Sequence, residues 1–349
     1  MSGTSLQGKS VLMFCVEFFG YREQMAEGLK RMGCNVDMYD ERPNNSVLLK
    51  TMIRYDVGVI HPVLRQYYQQ IIRNNREKKY DYIFVVKGEA INREILQLLR
   101  NAYPNAKFVL YLWDSVQNIP DCANRMKCYD RVLTFDPVDA HEYGLIFRSL
   151  FFGSDFPMGD PEGEYEYDLC FIGTAHSIRP RVIKQMEACC AKADLRFYYY
   201  LYSPHILVYL FNRLTNPNYR WIRRSDIHFK PLTRSQMQHI YKQSRCVLDV
   251  EHPKQNGITT RPLEMLQMRK KIITTNRQIS QFDFYKPENF YWIDRDEPGI
   301  DRNFVYTEYV PVEKEILHRY SVEGFLEEVF AEEQPSDLHE TQEENNALY

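Results

Sequence analysis

CVLDVEHPKQNGITTRPLEMLQMRKKIITTN, residues 246–276, reads as strand, loop, helix, strand. Residues 246–250 are a short apolar run of strand type. Residues 251–260 are a loop with a proline, a glycine and paired threonines. Residues 262–268 start a helix, with Pro262 near its first position and Glu264 in its first turn. Residues 271–275 are a second strand. A helix start carries unpaired N–H groups and partial positive charge, so it attracts anions. Arg261 adds a forked cation suited to phosphate. Glu264 offers an acceptor for a ribose diol. Together these predict a nucleoside diphosphate held at a strand-to-helix turn. Ordinary α/β punctuation, with Glu264 merely complementing the helix dipole, would use the same residue types.

Working outward, the 349 residues are enough for two domains. In the first half, residues 10–16, 35–39, 81–86, 107–113, 131–135 and 149–152 read as strands. Helical segments at 21–32, within 45–75, and at 92–101 alternate with them. Residues 153–167 (GSDFPMGDPEGEYEY) are rich in Gly, Pro and acids and read as a linker. A second alternation opens with strand 168–173, helix 182–193 and strand 195–202. Helix 235–244 leads it into the opening stretch, and strand 289–293 and helix 322–331 follow. Such alternation implies parallel, doubly wound sheets. The expected fold is therefore α/β, with two Rossmann-like domains facing a cleft. Residues 1–152 form the first domain, 168–330 the second, and 331–349 an acidic, disordered tail. Ligands in such sheets bind beyond the carboxyl ends of the strands.

Charge and composition exclude several classes. The net charge is −3, so nucleic acid is not an expected partner. The tail holds six acids and no Lys or Arg, so the charge there is local. Eight cysteines occur without a CxxC pair, as expected for a reducing cytoplasm. The first residues lack the pattern of a signal peptide, and no apolar run is long enough to span a bilayer. His176, His205, His228, His239 and His252 look scattered, and no zinc spacing, GxSxG elbow or Walker loop appears.

Gly173 and Thr174, with Arg179 and Arg181 downstream, form a second phosphate-type turn, in which glycine would let the backbone approach an anion. Glu17, Glu89 and Asp114 each follow a first-half strand. Asp114 and Glu89 are the preferred candidates for a general base, with Lys87 placed either to pair with one of these acids or to bind the acceptor. Carboxylates in such places also cap helices. Asp294-Arg295-Asp296 has the form of a metal-holding pair, but its loop setting favours a solvated turn. Residues 196–224 contain five arginines, many aromatics and no acid. That composition suits contact with an anionic membrane surface, and equally a core element with a basic rim.

The order of these pieces resembles the GT-B glycosyltransferases, particularly the bacterial CgeB-like and polysaccharide-biosynthesis group. The pieces are DLCFIGT with Arg179 or Arg181, then Gly257, Thr260, Arg261, Glu264 and KIITTN, together with Lys87-Gly88-Glu89 and YLWDS at 111–115. The resemblance covers roughly residues 8–330. It implies transfer of a sugar from a nucleotide-sugar donor to a glycan or lipid-linked acceptor without a metal or other cofactor. Glu264 would then be the ribose-binding acid and Arg261 the cation facing the leaving diphosphate. Such an enzyme would be cytoplasmic, peripheral at the inner face of the membrane. A nucleotide-sugar epimerase or a non-catalytic binding module could use the same plan. Retaining members carry a second glutamate eight residues before the first. Here that position is Asn256, and Glu251 is the nearest upstream acid, so the stereochemistry stays open.

Overall fold

The computed structural model describes residues 6–18, 20–159, 165–253 and 257–331. The chain divides into two compact units, Met1–Leu150 with Ser321–Tyr349, and Phe151–Tyr320.

The first unit is built on a six-stranded parallel sheet. Its strands are β1 (Ser10–Cys15), β2 (Asn35–Tyr39), β3 (Tyr82–Val86), β4 (Lys107–Leu112), β5 (Arg131–Thr134) and β6 (Ile146–Phe147). Their order is β2-β1-β3-β4-β5-β6. VLMFC, YIFVV and FVLYL are buried throughout because helices cover both faces of the sheet. One layer of core joins Leu12, Phe14, Ile83, Val85 and Phe108 to Leu64, Tyr68, Ile95 and Leu99. Residues 45–75 resolve into two helices, Val47–Arg54 and His61–Asn74. Ser46 caps the first of them, and Asp56, with φ of 48°, breaks the chain between the two.

The expected sixth strand at 149–152 does not form. Gly144, in the left-handed region at φ 64°, ends the helix Pro137–Tyr143 and turns the chain into β6 instead. Beyond β6 the backbone bonds elsewhere: the Phe152 N–H donates to the Tyr320 carbonyl at 2.9 Å.

The second unit carries another parallel sheet. Its strands are β7 (Tyr167–Thr174), β8 (Phe197–Tyr202), β9 (Ile227–His228), β10 (Ser244–Asp249), β11 (Lys271–Thr274) and β12 (Phe290–Trp292). Their order is β12-β11-β10-β7-β8-β9. From β7 the chain winds outward to β8 and β9. It then returns to the centre as β10 and winds the other way. The order reverses between β7 and β10, which lie side by side with Cys246 opposite Leu169 and Val247 opposite Cys170. Loops diverge there to opposite faces and leave a crevice at the strand ends.

Two expected boundaries move. The 153–167 segment is not the divide, because its described residues belong to the second unit. There the Gly159 N–H donates to the Gln267 carbonyl at 3.3 Å, and a Cβ on Gly159 would strike the Met268 carbonyl oxygen. The closing helix, Val322–Val329, belongs to the first unit rather than the second. It buries Val322, Phe325, Leu326 and Val329. Phe325 meets Tyr111 edge-on at 4.8 Å, and Phe330 meets Tyr82 at 4.9 Å. Gly28 lets the helix approach closely, since a Cβ there would lie 2.9 Å from a Leu326 methyl. Of the expected tail 331–349, all but Ala331 lies outside the described residues.

Phe325→Ala should destabilise the first unit by about 3–5 kcal/mol, the usual cost of emptying a buried aromatic site. Urea unfolding followed by tryptophan and tyrosine fluorescence measures it. A loss under about 1 kcal/mol would mean that the helix is not part of that core.

Candidate active site

At the second unit's switch point, two arginines reach across each other. Arg179 follows β7, and its Nε donates to the Val250 carbonyl beyond β10 at 2.7 Å. Arg261 follows β10, and its Nη2 donates to the Ile172 carbonyl in β7 at 2.7 Å. Arg261 Nη1 also pairs with Asp249, at 2.9 Å. Asp249 is 1 % exposed and further accepts from the hydroxyls of Thr259 and Thr274, at 3.4 and 3.3 Å. Both guanidinium groups stand by the Phe171 ring, 5.9 and 5.4 Å from its centre. Burial and the nearby Arg261 charge lower the Arg179 pKa to about 10, which leaves it cationic at neutral pH.

The helices that follow these strands, Arg179–Lys192 and Thr260–Gln267, both start without a side-chain cap. In the first, the Arg179 and Arg181 N–H groups already donate to the His176 and Ile178 carbonyls, at 3.1 and 3.0 Å, and Pro180 has none. The start of the second, at Thr260, is the better placed for an anion. Thr174, the last residue of β7, accepts from Arg179 Nη1 through its carbonyl at 3.4 Å. Thr260 is the first helical residue of the second helix, and Gly257 is buried just before it. Gly173 is required by packing: a Cβ would lie 2.8 Å from the Phe171 ring and 3.5 Å from Arg179 Nη1.

Some expected roles change. The helix begins at Thr260, so Pro262 is its third residue and Glu264 lies beyond its first turn. Glu264 is held by Arg234, 3.7 Å away. Arg234 also pairs with Asp155 and stacks on Phe156 at 4.9 Å. Arg181 does not join the other two arginines; its guanidinium pairs with Asp296 at 2.6 Å. Asp294 accepts from the N–H groups of Asp296 and Glu297, so of the 294–296 motif one carboxylate serves the loop and the other pairs with Arg181. No metal-ligating cluster occurs among the described residues. Asn256 lies outside them.

Three residues at this crevice were not picked out from sequence. Asp249 is one. The others are His176 and His252, which looked scattered yet stand with ring centres 5.8 Å apart. Adjacency of β7 and β10 brings them together. Burial, then Arg179 and the other histidine, pull the His176 pKa down to about 3, so its imidazole is neutral. Glu251, 2 % exposed, is also raised by burial; it accepts from Thr275 and pairs with Arg295.

The first unit gathers its own acids beyond β3 and β4. Lys87 Nζ bridges Glu89 at 3.0 Å and Asp114 at 3.6 Å. The two candidate bases thus share one cation. Glu17 lies apart from this trio, accepting from Asn45 at 3.5 Å. Lys87 and Gly88 both have positive φ, 83° and 75°. That turn is unusual for lysine and is held from below by Glu41, which sequence reasoning missed. Glu41 is fully buried and accepts from the N–H groups of Gly88, at 2.6 Å, and Ala90, at 3.3 Å. Burial outweighs these donors and Lys87, raising the Glu41 pKa to about 7.

Three solved structures share this arrangement of elements. Anabaena HepE in complex with UDP-glucose superposes with a TM-score of 0.57 at 11% identity, covering 92% of this chain and 98% of that one. The glycosyltransferase of Rickettsia africae ESF-5 gives 0.53 at 13%, covering 82% and 84%. The catalytic domain of Arabidopsis thaliana starch synthase IV, bound to ADP and acarbose, gives 0.53 at 10%, covering 97% and 98%. The fold is that of the GT-B glycosyltransferases. At such identities the likeness concerns the fold alone. No protein-family model matches the chain, and no curated protein sequence matches it.

Asp249→Ala would leave Arg261 without its buried counter-charge, and a loss of about 3 kcal/mol in unfolding free energy is expected. Urea titration of the variant would show it; an unchanged midpoint would mean that the pair does not hold the strand ends.

Glu41 makes stability depend on pH. Its native pKa, about 7, exceeds the ordinary 4.5. The native state therefore keeps a proton that the unfolded chain has released, and its stability falls as pH rises between those values. Glu41→Gln should flatten that slope in unfolding midpoints taken from pH 4.5 to 7.5 (about half a unit beyond the native pKa). Parallel curves for variant and wild type would remove the assignment.

Proposed function

We propose that this chain is a glycosyltransferase that moves a sugar from a nucleoside-diphosphate donor to an acceptor hydroxyl in surface polysaccharide or glycoconjugate synthesis. The observation that carries the reading is the β7/β10 switch point, with two guanidinium groups and the helix start at Thr260. Dense positive potential of this kind suits a diphosphate. HepE, with the same fold, is seen with UDP-glucose.

In the proposed reaction the acceptor oxygen attacks the anomeric carbon of the donor sugar. The bond from that carbon to the diphosphate oxygen breaks, and the electron pair leaves with the nucleoside diphosphate. Arg261, Arg179 and the helix start at Thr260 stabilise the charge that grows there, with Gly173, Thr174 and Gly257 lining the donor site. Glu264, oriented by Arg234, takes the ribose hydroxyls. Glu89 or Asp114 receives the acceptor's proton, and Lys87 bridges the two carboxylates. None of these steps calls for a metal. The acceptor is a glycan or a lipid-linked glycan, and the enzyme works in the cytoplasm.

A thermal-shift screen against nucleotides and nucleotide sugars tests the donor site and names its base. Glu264→Ala should weaken nucleotide affinity about tenfold or more, the scale of lost hydrogen bonds to a charged group. Calorimetry showing wild-type affinity would remove Glu264 from the site. Conversion of donor alone to an isomeric nucleotide sugar, seen by NMR, would replace transfer with epimerisation.

A further inference from the structure

The helix Ile206–Thr215 is turned inside out for a globular domain. Its apolar stripe, Leu207, Leu210, Phe211 and Leu214, recurs at helical spacing. Those side chains are 66, 48, 66 and 87 % exposed, while Tyr209 is the helix's buried residue. Tyr209 packs near Tyr219 and Phe229. Trp221 continues the exposed apolar surface.

Along this stretch of the chain the charge has one sign. Between Asp194 and Asp226 there is no acid, and Arg213, Arg220, Arg223 and Arg224 are all exposed. Arg213 fixes the helix to the following turn by donating to the carbonyls of Tyr219 and Ile222, at 2.7 and 2.6 Å. A solvated helix would gain nothing from presenting leucines and phenylalanine to water. A protein partner of opposite charge could match the arginines, but a four-residue apolar ridge with a basic, tryptophan-bearing border matches the depth profile of a lipid surface.

We infer that Ile206–Thr215 and the turn Pro217–Trp221 seat the second unit on a membrane carrying anionic lipid. The ridge enters the acyl boundary, and the arginines meet the headgroup phosphates. The element is tied to the loop that follows β7. The Asn216 amide donates to the Ser177 carbonyl at 2.9 Å, and the Tyr219 hydroxyl donates to the Ala175 carbonyl. That loop leads to Arg179, so the membrane contact and the switch-point crevice share one short connection. The inference does not depend on the proposed activity, because attachment to lipid is measured without donor or acceptor.

The test is cosedimentation of the full chain with vesicles of phosphatidylcholine alone or mixed with phosphatidylglycerol. Binding is expected to the anionic vesicles, weakening as salt is raised. Leu207→Glu with Phe211→Glu should lower partitioning at least about tenfold. Since both side chains are exposed, the variant should melt as the wild type does. Arg220→Gln with Arg223→Gln should weaken binding to anionic vesicles and remove most of its salt dependence. No sedimentation with anionic vesicles would overturn the inference. So would binding that survives the glutamate substitutions. A wild-type dimer in analytical ultracentrifugation that those substitutions dissociate, without lipid binding, would assign the ridge to a second copy of the chain instead.

Discussion

The crossed reach of Arg179 and Arg261 is the constraint on which the second unit's crevice depends. Parallel strands joined by crossovers on opposite faces are pulled apart at their ends, where β7 and β10 part company. Each arginine leaves the loop of one strand and binds a carbonyl belonging to the other. Burial first, and then repulsion between the two cations, lowers the Arg179 pKa. Asp249 offsets that repulsion at one end, through an ion pair and two hydroxyl donors. The crevice is therefore held open and held together by the same groups. Positive potential in it is a consequence of how the strands are tied as much as of what they bind.

The first unit solves a similar problem with the opposite charge. A lysine occupies a left-handed turn beyond β3 and gathers two carboxylates. Buried Glu41 secures that turn by taking its N–H groups. An uncompensated carboxylate in such a place would be costly. Here two amide donors and a neighbouring cation make it tolerable, and a raised pKa is the residue of the conflict.

The parallel sheets were legible in the sequence because their strands are buried on both faces and spell continuous apolar runs, as in SVLMFC and YIFVV. Arg261 and Arg179 were legible because a cation beside a strand-to-helix turn is a local pattern. Arg181, with the same pattern, turned instead to Asp296, a residue far along the chain. His176 and His252 meet only because β7 and β10 are neighbours, and nothing near either one signals the other. Gly173 was marked for an anion's approach; that the Phe171 ring also excludes a side chain there is a packing fact no local pattern shows. β9, two residues long, exists through its pairing with Leu201 and Tyr202 and has no periodicity of its own. The helix Val322–Val329 was visible as a helix, but its partner was not, since an apolar stripe does not say which core it will fill.

That returning helix has a consequence for synthesis. A chain emerges from the ribosome from its first residue onward, and domains generally fold as they appear. The first unit cannot follow that order, because Phe325 and Leu326 complete a core begun by residues near Tyr111 and Gly28. Its sheet must wait, partly uncovered, while the entire second unit is made. Only then does the last described helix arrive to close it, so the unit that begins first is finished last.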